Sequence, residues 1–105
     1  MRRGDIFALR RRKGVGHEQR GRRFGVVVQS DAFLPRSVVL VAPTSTRAKP
    51  ASFRPESDID GPVTRVLVGQ VGAVVLRRLG GLAGHLTPEA RGGVDAALLT
   101  VLGLN

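Results

Sequence analysis

Residues 14–31, GVGHEQRGRRFGVVVQSD, concentrate the groups able to do chemistry. His17, Glu18, Gln19, Arg20, Arg22 and Arg23 crowd ionisable and hydrogen-bonding side chains onto a loop punctuated by Gly14, Gly16 and Gly21. Val26, Val27 and Val28 follow as a β-branched run, which reads as a buried strand. A rigid strand starting beside the loop would hold Arg23 in a fixed place, as a reactive group requires. The chain has no cysteine, so disulfides and thiolate metal sites are excluded. It also has no HExxH, no acidic cluster with cation-ligand spacing and no GxxxxGK[ST], and its two histidines, His17 and His85, lack helical spacing. We therefore expect neither a metal nor a cofactor. What remains is cationic and hydrogen-bonding chemistry.

The charge balance suggests what that chemistry acts on. The net charge is +9, and most of the excess lies near the start. Arg2, Arg3, Arg10, Arg11, Arg12, Lys13, Arg20, Arg22 and Arg23 are opposed there only by Asp5 and Glu18. A one-sided basic surface attracts polyanions, nucleic acid first and an acidic protein segment second. A solvated basic face without function is the bland alternative. Cleavage of RNA by its own 2′-hydroxyl suits the available groups well. The substrate supplies the nucleophile, and the protein need only orient it, move protons and stabilise a crowded phosphorus. The four aromatic residues, Phe7, Phe24, Phe33 and Phe53, are few for a module that stacks successive bases, and each reads as core before platform.

The elements that would position these groups follow in order. The length of 105 residues fits a single domain, 1–105. The start MRRGDIF has no apolar signal region, and no apolar run approaches the ~18 residues of a membrane span. The expectation is a cytoplasmic protein. Residues 4–9 read as a strand with Ile6 and Ala8 on one face and Phe7 and Leu9 on the other. Residues 10–13 read as a basic hairpin loop, residues 24–29 as a second strand and residues 37–42 as a third that is apolar on both faces. Pro43, Thr44, Ser45 and Thr46 are expected to end the third strand, and an irregular basic connection follows, with a short extended piece around Ser52 and Phe53. Residues 58–62 read as a turn and residues 63–70 as a fourth strand. Residues 71–76 form a fifth strand, or a continuation beyond a kink at Gly69 or Gly72, and residues 79–86 a short twisted one with His85 at the sheet edge. Thr87, Pro88 and Glu89 mark a helix start. Ala90, Val94, Ala97, Leu98, Val101 and Leu102 supply its apolar stripe, and Gly103 closes it. Short strands followed by one helix give a mainly β (α+β) fold, a strongly bent antiparallel sheet or half-open barrel with a C-terminal helix packed on it.

The loop resembles a known family. Arg3-Gly4-Asp5-Ile6 looks like the RG[DE]-I/V opening of MazF/PemK-type toxins. Gly16-His17-Glu18-Gln19-Arg20-Gly21-Arg22-Arg23 is similar to that family's GxEQxGxR loop. The valine strand with Ser30-Asp31, the Pro43–Thr46 turn and the terminal LTPE…LLTVLGL helix fall in the matching order, so the resemblance covers roughly residues 2–104. It implies an SH3-like small β-barrel, a homodimer and a metal-independent, sequence-specific endoribonuclease acting on single-stranded RNA. It also implies 2′,3′-cyclic phosphate and 5′-hydroxyl ends, and a cognate MazE-like antitoxin whose acidic C-terminal tail covers the RNA groove. The family's catalytic pair carries over to Arg23 and Ser45. Glu18 fits orientation of Arg23, movement of the 2′-hydroxyl proton, or a loop-bracing salt bridge. His17, Gln19, Arg20, Arg22, Thr44, Thr46 and Arg65 are the expected RNA contacts, although Gln19 also suits loop bracing.

Several positions depart from the pattern. Phe24 replaces the family's proline. Gly69-Gln70 with Gly72 replaces Asp-Gln with a following basic residue. Leu67 stands where some members carry arginine, and Arg65, two residues earlier on the same strand face, partly replaces that charge. Two readings remain beside the enzyme: a non-catalytic basic barrel that binds RNA, and a barrel that inhibits a protein target such as a topoisomerase.

Overall fold

A computed structural model describes residues 1–10, 23–34, 37–59, 61 and 63–105. The expected basic hairpin loop beyond Arg10, and the placements of His17, Glu18, Gln19, Arg20 and Arg22, lie outside the described residues. Among the described residues, seven strands and one α-helix follow in order: β1 (Asp5–Leu9), β2 (Phe24–Val27), β3 (Val38–Ser45), β4 (Glu56–Asp58), β5 (Val63–Val66), β6 (Gly72–Val75), β7 (Leu79–His85) and α1 (Pro88–Val101). The pairings are antiparallel, in the order β4-β5-β3-β2-β1-β7, with β6 also on β3. The sheet curls into a half-barrel against α1, as the spacing of short strands and one terminal helix predicts.

Strand alternation sorts the apolar residues into two clusters, one on each side of the sheet. Ile6, Phe24, Val26, Ala42, Val66 and Val68 pack with Leu86, Val94 and Ala97 under the helix, joined by Ala8. Val27, Val39, Val41 and Leu79 form the second cluster with Phe7 and Leu9. The two faces expected of β1 are therefore correct. In β3, Val39 and Val41 are buried, but Val38 and Leu40 are 41% and 43% exposed, so one face of its first half is open. The helix stripe also stops early. Val94 and Ala97 are buried, whereas Val101 and Leu102 are exposed. The expected caps are present: Thr87 Oγ1 accepts from Ala90 N at 3.1 Å, and Gly103 takes φ +69° while Leu104 N reaches Leu99 O at 2.8 Å.

Two strands differ from expectation. β3 runs through Pro43 to Ser45 because its neighbours carry it: Pro43 lacks an N–H, but its carbonyl accepts Leu67 N at 2.8 Å, and Thr44 and Ser45 pair with Val66 and Arg65. The extended piece of the following connection is Glu56–Asp58, paired with β5. Ser52 and Phe53 instead form a turn closed by Arg54 N on Ala51 O at 3.0 Å. The fourth strand ends at Val66, and a 3-10 turn at Val68–Gln70 takes up the kink near Gly69.

The N-terminal segment is a clasp. Gly4, at φ +93°, donates to Val27 O at 2.8 Å and accepts from Leu86 N at 2.9 Å. Arg3 Nε donates to Val28 O at 2.8 Å, and its guanidinium lies 2.7 Å from Asp95 of α1. The buried Asp5 carboxylate accepts from Arg2 N at 2.8 Å and meets His85 Nδ1 at 2.7 Å. Burial pushes the Asp5 pKa up, but the His85 hydrogen bond, the Arg2 N–H and the charges of both outweigh it, so the carboxyl lies below its ordinary 3.8. His85 is thus the edge residue expected, with a partner that composition does not reveal.

Two outcomes follow for stability. A carboxyl with a lowered folded-state pKa stabilises the fold above its unfolded value and loses that contribution as pH falls through the lower one. Thermal unfolding followed against pH is expected to show Asp5→Asn destabilised by about 1–3 kcal/mol at neutral pH. Its decline in acid will be shallower than wild type as pH drops below the ordinary 3.8. Gly4→Ala will cost about 1–2 kcal/mol, because φ is positive there and a Cβ would sit 3.2 Å from the His85 ring.

Candidate functional site

The site grows from the meeting of β2, β3 and β5. Arg23 immediately precedes β2, and its carbonyl accepts Leu9 N at 2.8 Å, which fixes its backbone against β1. β2 and β3 pair as Gly25 with Pro43 and Val26 with Ala42. Arg23 and Ser45 each lie two residues beyond the last pair of that ladder, Gly25 with Pro43. The Thr44 hydroxyl, which donates to Phe24 O at 3.3 Å, keeps the two chains adjacent over that stretch. On the other edge of β3, Ser45 pairs with Arg65, and Arg65 pairs with Glu56. Directly opposed residues share a face, with Cα atoms about 4.5–5.5 Å apart. Ser45, Arg65 and Glu56 therefore form one row across three strands, with Arg23 at the neighbouring start of β2. Thr44 and Val66, one step along, are buried on the opposite face, so the row faces away from the helix-side core.

These residues are placed differently. The Arg23 side chain is exposed. Ser45 is half-buried, and its Oγ accepts from Arg47 N at 3.1 Å, a local turn bond that leaves the hydroxyl its own proton to donate. Arg65 is braced within the fold: Nη1 donates to Arg54 O at 2.8 Å, and Nη2 meets Glu56 Oε2 at 2.6 Å. Its side chain is only 18% exposed. The charge expected to contact RNA there is thus engaged in holding the β3–β4 connection to β5. Thr44 is 4% exposed, and its bond to Phe24 O turns it inward, so it supports the strand pair from beneath instead of lining the surface. Thr46, just past β3, is exposed.

Residues that the motif reading passed over lie beside this row. Arg47, Lys49 and Arg54 on the β3–β4 connection extend its positive surface. Phe53 on the same connection and Phe33 are 37% and 57% exposed, contrary to the expectation that every phenylalanine is core. Phe24 is buried and Phe7 half-buried, as expected. The basic run bounded by Pro43 and Pro50 was the available signal for the connection; nothing local marked Phe53. Among the described residues no group of three or more His, Asp and Glu side chains could hold a metal ion, and no helix is long and apolar enough to cross a membrane. An exposed arginine and a serine hydroxyl at neighbouring strand ends, flanked by further cations, offer a phosphodiester two charge-assisted bonds and a neutral donor.

Comparison with known proteins agrees with this architecture. The Mycobacterium tuberculosis toxin MazF-mt6 superposes with a TM-score of 0.80 at 16% identity, covering 96% of this chain and 98% of that one. A mycobacterial endoribonuclease in complex with its cognate antitoxin gives a TM-score of 0.78 at 18% identity, covering 100% and 97%. MazF from Deinococcus radiodurans gives 0.77 at 22% identity, covering 98% and 96%. At those identities the likeness establishes the fold. Sequence goes further: a Mycobacterium tuberculosis protein carrying a provisional toxin designation is 44% identical over 90 residues, 85% of this chain and 84% of that protein. With the family model of PemK-like, MazF-like toxins matching residues 2–102, the chain belongs to that family of type II toxin–antitoxin toxins.

Proposed function

We propose that the protein is a metal-independent endoribonuclease, the toxin of its toxin–antitoxin pair, acting in the cytoplasm on single-stranded RNA at defined sequences. The observation that supports this reading is an exposed Arg23 and a half-buried Ser45, each two residues beyond the Gly25–Pro43 pair of β2 and β3, within a basic surface. The substrate's 2′-oxygen attacks the adjacent phosphorus and the bond from phosphorus to the 5′-oxygen breaks. The 2′-hydroxyl proton is lost and the leaving oxygen gains one, giving a 2′,3′-cyclic phosphate and a 5′-hydroxyl. The Arg23 fork stabilises the charge that develops on the two non-bridging oxygens, and Ser45 donates to one of them. Glu18 either orients Arg23 or takes the 2′-hydroxyl proton, while His17, Gln19, Arg20, Arg22 and Thr46 hold the strand. Arg65 contributes by positioning the β3–β4 connection and Thr44 by holding β3 against β2.

The same surface suits an antitoxin with an acidic tail, which would occupy the cationic groove in place of RNA. The protein acts as a homodimer. The open face of β3 provides the apolar contact: Val38 and Leu40, with Val75 opposite Val38 on β6, stand beside a groove of about 480 Å³ lined by Gln29, Phe33 and Ser37.

Incubation with a long single-stranded RNA in EDTA tests the activity. Discrete cuts with cyclic phosphate ends are expected. Arg23→Ala should lower the rate at least ~100-fold and Ser45→Ala by about 10- to 100-fold, with thermal unfolding unchanged. Intact RNA from a folded protein would favour the binding or target-inhibition readings instead. Sedimentation tests the dimer: wild type should run at twice the 11.2 kDa chain mass, and Leu40→Asp as a monomer.

A further inference from the structure

The β3–β4 connection holds one aromatic ring in an unusual setting. Phe53 is 37% exposed in a chain whose apolar interior has room for other phenylalanines. The Arg54 guanidinium carbon lies 5.0 Å from its ring centroid and is itself anchored by Nη1 on Lys49 O at 3.1 Å. The turn bearing both residues is closed by Arg54 N on Ala51 O and gripped by Arg65 through Arg54 O. Since Arg65 is paired with Ser45, one residue separates the ring from a bond made directly to the catalytic row.

A second element adds an independent observation. Gly69 lies in the exposed 3-10 turn after β5, and a Cβ built there would stand 3.8 Å and 4.0 Å from Phe53 Cδ2 and Cε2. The backbone there has no need of glycine, since its φ lies outside the left-handed region. Any larger side chain at this position would lie against the ring. Glycine places no side chain on that ground.

We propose that Phe53, backed by Arg54 and left uncovered by Gly69, is a nucleobase-stacking subsite beside Arg23 and Ser45. The proposal rests on the RNA reading above and adds to it the group that seats a base next to the reacting phosphate. Stacking suits the place because every base offers a π-face, and the ring already stands against the Arg54 guanidinium. Arg54 serves twice, holding the ring by cation–π contact and adding charge where the backbone passes.

The chain has no tryptophan and no tyrosine, so Phe53→Trp introduces a single strong fluorophore. In an Arg23→Ala background, which keeps RNA uncut, a short single-stranded RNA is titrated while binding is followed separately by anisotropy of an end-labelled strand. Saturable quenching of the indole by RNA is expected, with none from heparin or an abasic ribose-phosphate oligomer. Phe53→Ala should weaken binding about 5- to 150-fold, Phe53→Trp should retain it, and Gly69→Leu, which covers the ring, should reproduce the loss without lowering thermal stability. RNA bound without quenching, equal quenching by heparin, or wild-type affinity in Phe53→Ala would each overturn the subsite and leave the RNA reading standing. Failure of the chain with Arg23 intact to bind or cut RNA at all would overturn both.

Discussion

Both edges of β3 must be satisfied at once, and the rest of the fold is arranged around that constraint. Along eight residues the strand bonds β6, then β2, then β5, with Val41 paired on both sides. A buried strand cannot leave amide and carbonyl groups unmatched without a large penalty. Pro43 tightens the requirement because it offers only a carbonyl, which Leu67 takes. Once these bonds are made, the end of β3 has little freedom. Ser45 stands beside Arg65 because the ladder leaves it nowhere else to be.

This constraint separates positioning from chemistry within a few residues. Thr44 looks inward and holds β2, while Ser45 looks outward. Arg65 is bound to Glu56 and Arg54, while Arg23 is open to solvent. Of these two arginines, one stabilises the platform and the other is available to a phosphate. A basic surface built only from mobile side chains would pay a rotamer entropy cost on every binding event. Here part of that ordering is completed by folding.

How much of this was legible in the sequence depended on whether a residue's partner was near it in the chain. The Thr87 cap, the Gly103 stop and the alternation of Ile6 and Ala8 against Phe7 and Leu9 are local signals, and all were readable. The Gly16–Arg23 motif pointed to the family, but the structure of its central residues is outside the described region. What could not be read depended on distant pairing. Nothing around Pro43 says that β5 will carry the strand onward. Nothing around Glu56–Asp58 distinguishes a short edge strand from a turn until Val63–Val66 lies beside it. The partner of His85 is eighty positions away at Asp5, and the contact of Phe53 with Arg54 is not marked by anything in the sequence around it.

The Arg3–Gly4–Asp5 clasp secures one side of β7, whose other edge has no strand beside it among the described residues. An open edge is a template on which foreign strands can add and spread into aggregates. β7 reads LGGLAGH, and three glycines in seven residues make a poor template, because each further strand would have to freeze a backbone that gains little from being frozen. Its pairing with β1 also slips register twice, which twists the edge out of the flat geometry that stacking requires. The glycines that look like weakness in this strand make its open edge a poor place for further strands to add.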